Sequence, residues 1–533
     1  MSVSRFRVAL LSAEAVPFAK VGGLADVTGA LSHAAAALGC SVAVFLPRYG
    51  DLELPPGSDL ELVATVDVPL SGADRPGLVY RLRHAGHPAH LHHFFLGNEE
   101  LFGRPGVYAD PATGEPFPDE ARRFAFFSRG CLEAMRAVAY VPDVIHANDH
   151  PTALVPAYLK TTLAEDAFFQ MTATLLTIHN LGYQGTYPPA AMRTAGFPER
   201  FFYPLSPFEF WGKMNCLKAG IQFADRLNTV SERHAEEIQS GDEYGFGLQG
   251  ALNARREHLT GILNGIDVKV WNPRTDRALP ARYDAETLEG KSICKAALVE
   301  ELGLAASPDR PLFGIVSRLV EQKGFELFER AADRLMALPA RWAVLGRGEK
   351  RFEDLFRALA SRHPDRLAYR SEFDDPLAHR IEGGADFFLM PSRYEPCGLS
   401  QMMSMRYGAV PVVRETGGLA DTVTPFEPGD RSSQGTGIVF RPYTPEALAE
   451  AVERAIRLHA DPPSLQRCRR NGMACDFSWE GAARKYVQVY REANASRRIG
   501  TGFGRWLDTI RGGGESEAGS SASSRGWEPP SVA

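Results

Sequence analysis

Short apolar runs alternate with amphipathic stretches along most of the chain. In the first half the runs are Val8–Leu11, Ser41–Leu46, Leu91–Leu96, Asp143–Ala147, Leu175–His179 and Arg226–Val230. Each is too short for a buried helix and reads as a strand covered on both faces. Between them lie segments such as Leu24–Leu38, apolar at helical spacing and closed by Gly39. A second series starts at Pro311, with strands predicted at Leu312–Val316, Ala343–Leu345, Leu367–Tyr369, Asp386–Met390, Ala409–Val413 and Gly437–Phe440. Strand–helix alternation of this kind predicts an α/β fold of parallel, doubly wound sheets. The pattern divides the chain into a first Rossmann-like domain (1–273), a polar, proline-bearing connection (274–310) with helix over Ser292–Leu302, and a second Rossmann-like domain (311–475). A helical run over 476–495, with Ser478 as its cap, is expected to pack back on the first domain. The Gly/Ser-rich end, 512–533, has too little apolar content for a core and is expected to be disordered. Two such domains facing one another place a ligand in the cleft between them, beyond the carboxyl ends of the strands.

Composition narrows the partners. Hydrophobic residues make up 44% and charged residues 23%, an ordinary globular balance, and the net charge is −6. Lys and Arg are scattered, so neither nucleic acid nor a membrane is an expected partner. Residues 1–7 lead straight into the first strand, so no secretion signal is expected, and no apolar run approaches the ~20 residues of a membrane span. The seven cysteines are odd in number, far apart and without a CxxC, as expected of reduced thiols in a cytoplasm. No metal site is expected: His92 and His93 point to opposite faces of a strand.

The candidate chemistry lies in the turns after strands. Pro391–Gln401 follows the apolar run Asp386–Met390 and precedes the helix predicted at Met402–Tyr407, which puts Glu395 and Gly398 beside free helix amides suited to an anion. The plainer reading has Glu395 capping that helix and Pro396 starting it. Lys20–Asp26 offers two adjacent glycines, a lysine and a helix start, or simply a glycine turn. Arg318 and Lys323 leave the first strand of the second domain and suit a diphosphate, or else decorate a solvated loop. Thr416–Asp421 repeats the Gly-Gly-Leu-Ala-Asp of the first domain, and Asp119 and Glu120 open a helix, where acids are favoured in any case. Neither glycine turn reads GxGxxG, which argues against a dinucleotide oxidoreductase.

Seven stretches occur in the order found in bacterial glycogen synthases and plant starch synthases: Lys20–Asp26, Thr177–Gly185, Leu263–Asp267, Ser317–Gly324, Pro391–Gln401, Thr416–Asp421 and Thr436–Ile438. The chain resembles that family from about residue 6 to residue 492. The resemblance implies a GT-B fold, with two facing Rossmann-like domains and an interdomain cleft. It implies transfer of glucose from ADP-glucose to the non-reducing end of an α-1,4-glucan with retention, and no cofactor or metal. Matched position by position, Arg318 and Lys323 correspond to the phosphate-binding pair and Glu395 to the carboxylate near the glucosyl group. Lys20, Gly22 and Gly23 correspond to the first-domain glycine loop, and Gly398, Leu399, Thr416, Gly417 and Gly418 to the second-domain donor loops. Phe373 falls at the aromatic against adenine, Asn264 at a sugar-side position and Asp119 at an acid near the acceptor. One stretch departs. Where the family reads Asp-Trp-His, this chain has Asp149-His150-Pro151, so proline stands at the active-site histidine and His150 is expected to point elsewhere. Glu349, where the family often has Asp, is expected to matter little. The departure keeps open a catalytically weak glucan-binding or regulatory paralogue, and UDP-glucose stays open as a different donor.

Overall fold

The computed structural model describes residues 5–512 except 71–72, 85–87, 308, 373 and 431. Two sheets organise it. The second is the simpler. Its six strands are all parallel, in the spatial order Leu367–Arg370, Arg341–Leu345, Leu312–Val316, Phe387–Met390, Val410–Arg414 and Ile438–Phe440. Phe313, Trp342, Phe387 and Val412 anchor the core beneath it. These strands sit within a residue or two of the predicted runs, because strands buried on both faces are unbroken apolar stretches bounded by polar residues.

The first sheet differs from expectation. Its nine strands run in the order Leu259–Gly261, Arg226–Thr229, Ala173–Ile178, Val144–Asn148, Arg7–Leu11, Ser41–Pro47, Leu91–Gly97, Ala73–His84 and Ser58–Leu70. The last two form an antiparallel hairpin, itself antiparallel to Leu91–Gly97, so the sheet is mixed and not purely parallel. The Ser58–Leu70 strand alternates buried and solvated positions, the signature of an edge with one wet face, and offers no continuous apolar run. Three further short strands, Thr186–Tyr187, Glu209–Phe210 and Lys213–Asn215, make a separate antiparallel sheet.

The predicted connection contains the helix Glu289–Glu301. The final helix is longer than expected and runs from Trp479 to Gly512. Its Trp479, Ala483, Tyr486 and Tyr490 join the core of the first sheet with Val8, Val27 and Val144. His146 Nδ1 lies 2.8 Å from the Tyr490 hydroxyl, and Asn228 Nδ2 donates to the Tyr486 hydroxyl at 3.1 Å. The expected disordered end, beyond Gly512, lies outside the described residues.

Candidate active site

Each sheet has a point where the strand order reverses. In the second, Leu312–Val316 lies between Arg341–Leu345 and Phe387–Met390, so the loops after Val316 and Met390 part there. In the first, Arg7–Leu11 lies between Ser41–Pro47 and Val144–Asn148. The loops after Leu11 and Asn148 therefore carry Glu14 to Gly23 and Asp149 to Thr152. Open α/β sheets bind ligands at such crevices, and four of the sequence candidates' loops open on them.

At the second crevice Glu395 is 4% exposed. Lys323 Nζ donates to both its oxygens at 2.9 and 2.7 Å, and Ser392 Oγ donates at 2.9 Å. The following helix is Ser400–Arg406, with Leu399 at its cap and no side-chain cap bond. Glu395 thus lies ahead of that helix and does not cap it. It serves a lysine of the neighbouring loop, a pairing that no local pattern reveals. Arg318 is exposed on the same loop as Lys323, and among the described residues no carboxylate lies within ion-pairing distance of it. The loop is held by backbone bonds from Leu319 N to Arg347 O (2.8 Å) and Glu349 N to Leu319 O (2.7 Å). Glu349 also accepts from Glu321 N at 3.0 Å, so the position expected to matter little closes the loop that carries Arg318 and Lys323.

The glycines of Thr416–Asp421 have a steric reason. Gly417 has φ 44°, and a side chain on it would collide with the Glu395 carbonyl. One on Gly418 would collide with the Cys397 carbonyl, and Gly418 N donates to Glu395 O at 3.0 Å. Only bare backbone lets the two loops lie against each other. Asn264 is 5% exposed and hydrogen-bonded to the Cys397 thiol, and its Oδ1 makes no hydrogen bond among the described residues.

The first-domain wall is held by a residue the sequence reading passed over. Glu14, 3% exposed, accepts Val21 N at 2.6 Å and Gly22 N at 2.9 Å on Oε2, and the Tyr108 hydroxyl at 3.0 Å on Oε1. Burial raises its pKa, although these donors oppose the shift. Two amides just ahead of the helix Gly23–Ala37 are therefore occupied. Lys20 pairs with Asp26 at 2.8 Å. A Cβ on Gly22 would meet no described atom within 4 Å, and one on Gly23 would meet Leu399 Cδ1 of the opposite wall at 3.7 Å. The two glycine-bearing walls thus face each other.

Further contacts cross the cleft. Glu237, on the first-domain helix Glu232–Ser240, accepts Gly417 N at 3.0 Å on each carboxylate oxygen and the Thr416 hydroxyl at 3.3 Å. Burial works to raise its pKa, but His234, the Gly417 amide and Arg233 together hold it below the ordinary range. Ser231 Oγ donates to Pro396 O at 2.7 Å, Arg233 N to Asp421 at 3.0 Å, and Asn180 Nδ2 to Gln322 at 3.4 Å. Neither Glu237 nor Glu14 carries a sequence signal, because each meets its loop only through the fold.

The remaining candidates lie apart. Asp119 is ion-paired with Arg104 and shows no contact with the Lys323–Glu395 pair. Its neighbour Glu120 accepts the Tyr187 hydroxyl at 3.1 Å and stands 3.7 Å from His150 Nε2. His150 is buried edge-on to Phe124 at 5.7 Å, and neither ring nitrogen makes a hydrogen bond among the described residues. Pro151 is buried, with its carbonyl taken by Ser128 Oγ at 2.9 Å. Asp149 before them has φ 54°, accepts His179 N at 2.7 Å, and is pushed up by burial to about 7. Phe373 lies outside the described residues. Among the described residues no cluster of three or more His, Cys, Asp or Glu is arranged to hold a metal, and no helix is long and apolar enough to cross a membrane.

Comparison with known proteins gives this geometry a context. The sequence profile of the starch synthase catalytic domain matches residues 7–254, and that of group 1 glycosyl transferases matches residues 303–474. A glycogen synthase of Syntrophotalea carbinolica is 42% identical over 486 residues, covering 91% of this chain and 98% of that protein. One from Thermotoga maritima is 42% identical over 494 residues, covering 92% and 99%. Among solved structures, the catalytic domain of starch synthase IV from Arabidopsis thaliana, bound to ADP and acarbose, superposes with a TM-score of 0.84. It is 31% identical and covers 92% of this chain and 100% of that one. A sucrose-phosphate synthase of Thermosynechococcus elongatus, 21% identical with a TM-score of 0.55, shares the fold.

Proposed function

Because the chain belongs to the bacterial glycogen synthase and plant starch synthase family, we propose that its cleft moves glucose from ADP-glucose to the non-reducing end of an α-1,4-glucan, with retention at the anomeric carbon. The observation that carries the assignment of roles is the Lys323–Glu395 pair at the crevice of the second sheet, opposite the glycine wall of the first. An ammonium has three donors. Two of those on Lys323 go to Glu395, leaving the third for a phosphate oxygen. The lysine thereby ties the carboxylate to the charge that develops on the leaving diphosphate, and the unpaired Arg318 adds a second cation from the same loop. Gly398, Leu399, Thr416, Gly417 and Gly418 form the donor side, with Asn264 beside the sugar. Lys20, Gly22 and Gly23 approach the donor from the first domain.

The glucan 4-hydroxyl attacks on the face the diphosphate leaves, and a phosphate oxygen takes its proton. Glu395 stabilises the cationic sugar between bond breaking and bond making. Asp119, paired with Arg104, serves the acceptor. No cofactor enters this scheme. The same reading places the protein in a cytoplasm, supported by its seven free thiols.

Incorporation of labelled glucose into glycogen, with ADP-glucose and UDP-glucose compared side by side, tests the reading. Transfer from ADP-glucose is expected. Preference for UDP-glucose would reassign the donor. Pro151 in place of the family's histidine favours one second reading, a glucan-binding paralogue that has lost turnover. Glycogen binding without incorporation from either donor would select it.

A further inference from the structure

The turn between the short strands Glu209–Phe210 and Lys213–Asn215 displays its largest side chain to solvent. Trp211 is 86% exposed, and the neighbouring Leu205 and Tyr203 are 90% and 56% exposed. Trp211 and Leu205 both have left-handed backbones, with φ 53° and 67°, a conformation unfavourable for side chains of this size. One carboxylate holds both turns: Glu209 accepts Leu205 N at 2.9 Å and Gly212 N at 2.6 Å. Lys218 Nζ donates to the carbonyls of Ser206 and Glu209 and fixes the segment between them. An aromatic platform in a strained conformation, braced from below, is a built feature of the surface.

The platform is continuous with the cleft. Tyr394, next to Glu395, packs edge-on against Phe246 at 5.3 Å. A Cβ on Gly247 would lie 2.8 Å from the Phe210 ring, and that ring lies 6.3 Å from Trp211. The same small sheet reaches the acceptor-side acids, since Tyr187 pairs with Met214 and donates to Glu120.

We propose that Trp211, with Tyr203 and Leu205, is a glucan-holding site on the rim of the cleft, gripping the acceptor several residues from its reacting end. This rests on the reading of the cleft as a glucan synthase. A polymeric acceptor must leave the cleft over some rim, and this one presents a wide, rigid indole. The apolar face of a pyranose ring stacks on such a surface, and the turn is already ordered, so little conformational freedom is lost on binding.

The test uses the full chain with Trp211→Ala, and Trp211→Tyr as the aromatic replacement. Affinity electrophoresis in glycogen gels reads binding without turnover. Trp211→Ala should weaken glycogen retardation about fivefold, the size of one aromatic stacking contact, and Trp211→Tyr should restore most of it. KM for glycogen should rise in parallel, while kcat and the KM for maltotriose and for ADP-glucose stay within about twofold, since those ligands do not reach the rim. Unchanged retardation in Trp211→Ala would overturn the proposal. So would sedimentation showing that Trp211→Ala splits a self-associated form while glycogen binding persists, which would assign the patch to a second copy of the chain. Failure of the wild type to transfer glucose to maltotriose would count against the synthase reading alone, because gel retardation is measured without donor.

Discussion

At the scale of single residues, the pair Lys323–Glu395 sets the sharpest expectation. Glu395 is buried, accepts from Lys323 and Ser392, and keeps no helix-capping duty that its loss would disturb. Glu395→Gln preserves shape and removes charge. It should cut kcat by at least ~10²-fold, the usual size for losing an electrostatic group at a transition state. Binding of ADP should change only a few-fold by calorimetry, and an equal loss in binding and turnover would remove Glu395 from the chemistry. Pro151 gives the opposite expectation. It is buried with its carbonyl engaged by Ser128, and the neighbouring space holds the His150 ring. Pro151→His therefore overpacks the site, which typically costs ~1–3 kcal/mol, and should lower Tm without raising the rate. A tenfold gain in incorporation would instead show that turnover in this chain had waited on the missing histidine.

At the scale of elements, one helix of the first domain braces a loop of the second. Glu237 satisfies Gly417 N and the Thr416 hydroxyl, and the backbone it steadies lies directly against Glu395. If the Thr416–Gly418 loop holds the donor as proposed, Glu237→Ala should raise the KM for ADP-glucose about tenfold by misplacing that loop, with a smaller effect on kcat. A fall in Tm with unchanged KM would limit Glu237 to stability. Within the first sheet, the neighbouring strands Val144–Asn148 and Ala173–Ile178 bring His146 and His179 close together. His146 is held neutral by burial, reinforced by repulsion from His179, and His179 by burial alone, so that each has a pKa of about 3. An unfolded histidine titrates near 6.5, so below that pH the unfolded chain takes up protons that the folded one refuses. Stability is full above about 6.5 and declines toward pH 3, by up to ~1.4 kcal/mol per pH unit for each ring. Thermal melts from pH 7 to 5 should fall less steeply for His146→Gln than for the wild type, and parallel slopes would contradict the buried-neutral assignment.

At the scale of the whole molecule, the two domains meet through polar contacts, from Ser231 to Pro396, Arg233 to Asp421, Asn180 to Gln322 and Glu237 to Gly417, and through a small apolar cluster of Val230, Ile266, Cys397 and Met402. Interfaces of this kind permit hinge motion, and closure around the donor excludes the water that would otherwise hydrolyse it. Small-angle scattering should show a smaller radius of gyration with ADP and maltohexaose than without, approaching the value for the structure described here. Identical dimensions in both conditions would rule out closure as part of the cycle. The final helix bears on the same motion. It follows the second domain in the chain but packs Tyr486 and Tyr490 into the core of the first, so the chain crosses the cleft twice.

The strands of the second sheet were legible in the sequence because each is a continuous apolar run, and burial on both faces leaves no other pattern. The loops after them, with Glu395, Arg318, Lys323 and the glycine pairs, were legible because ordered motifs resemble those of a known family. The hairpin of Ser58–Leu70 and Ala73–His84 was not, since a half-wet edge strand alternates weakly and its register depends on its partner. Nor were the partners of the candidate residues. Lys323 and Glu395 are 72 residues apart, Glu237 and Gly417 180, and the Tyr108 hydroxyl is 94 residues from the Glu14 that holds the glycine loop. Local composition decides which segments become strands and which turns carry charge. Which carboxylate satisfies which amide is decided only when the strand order brings distant loops to the same crevice, where a buried donor left unpaired would cost more than the contact itself gains.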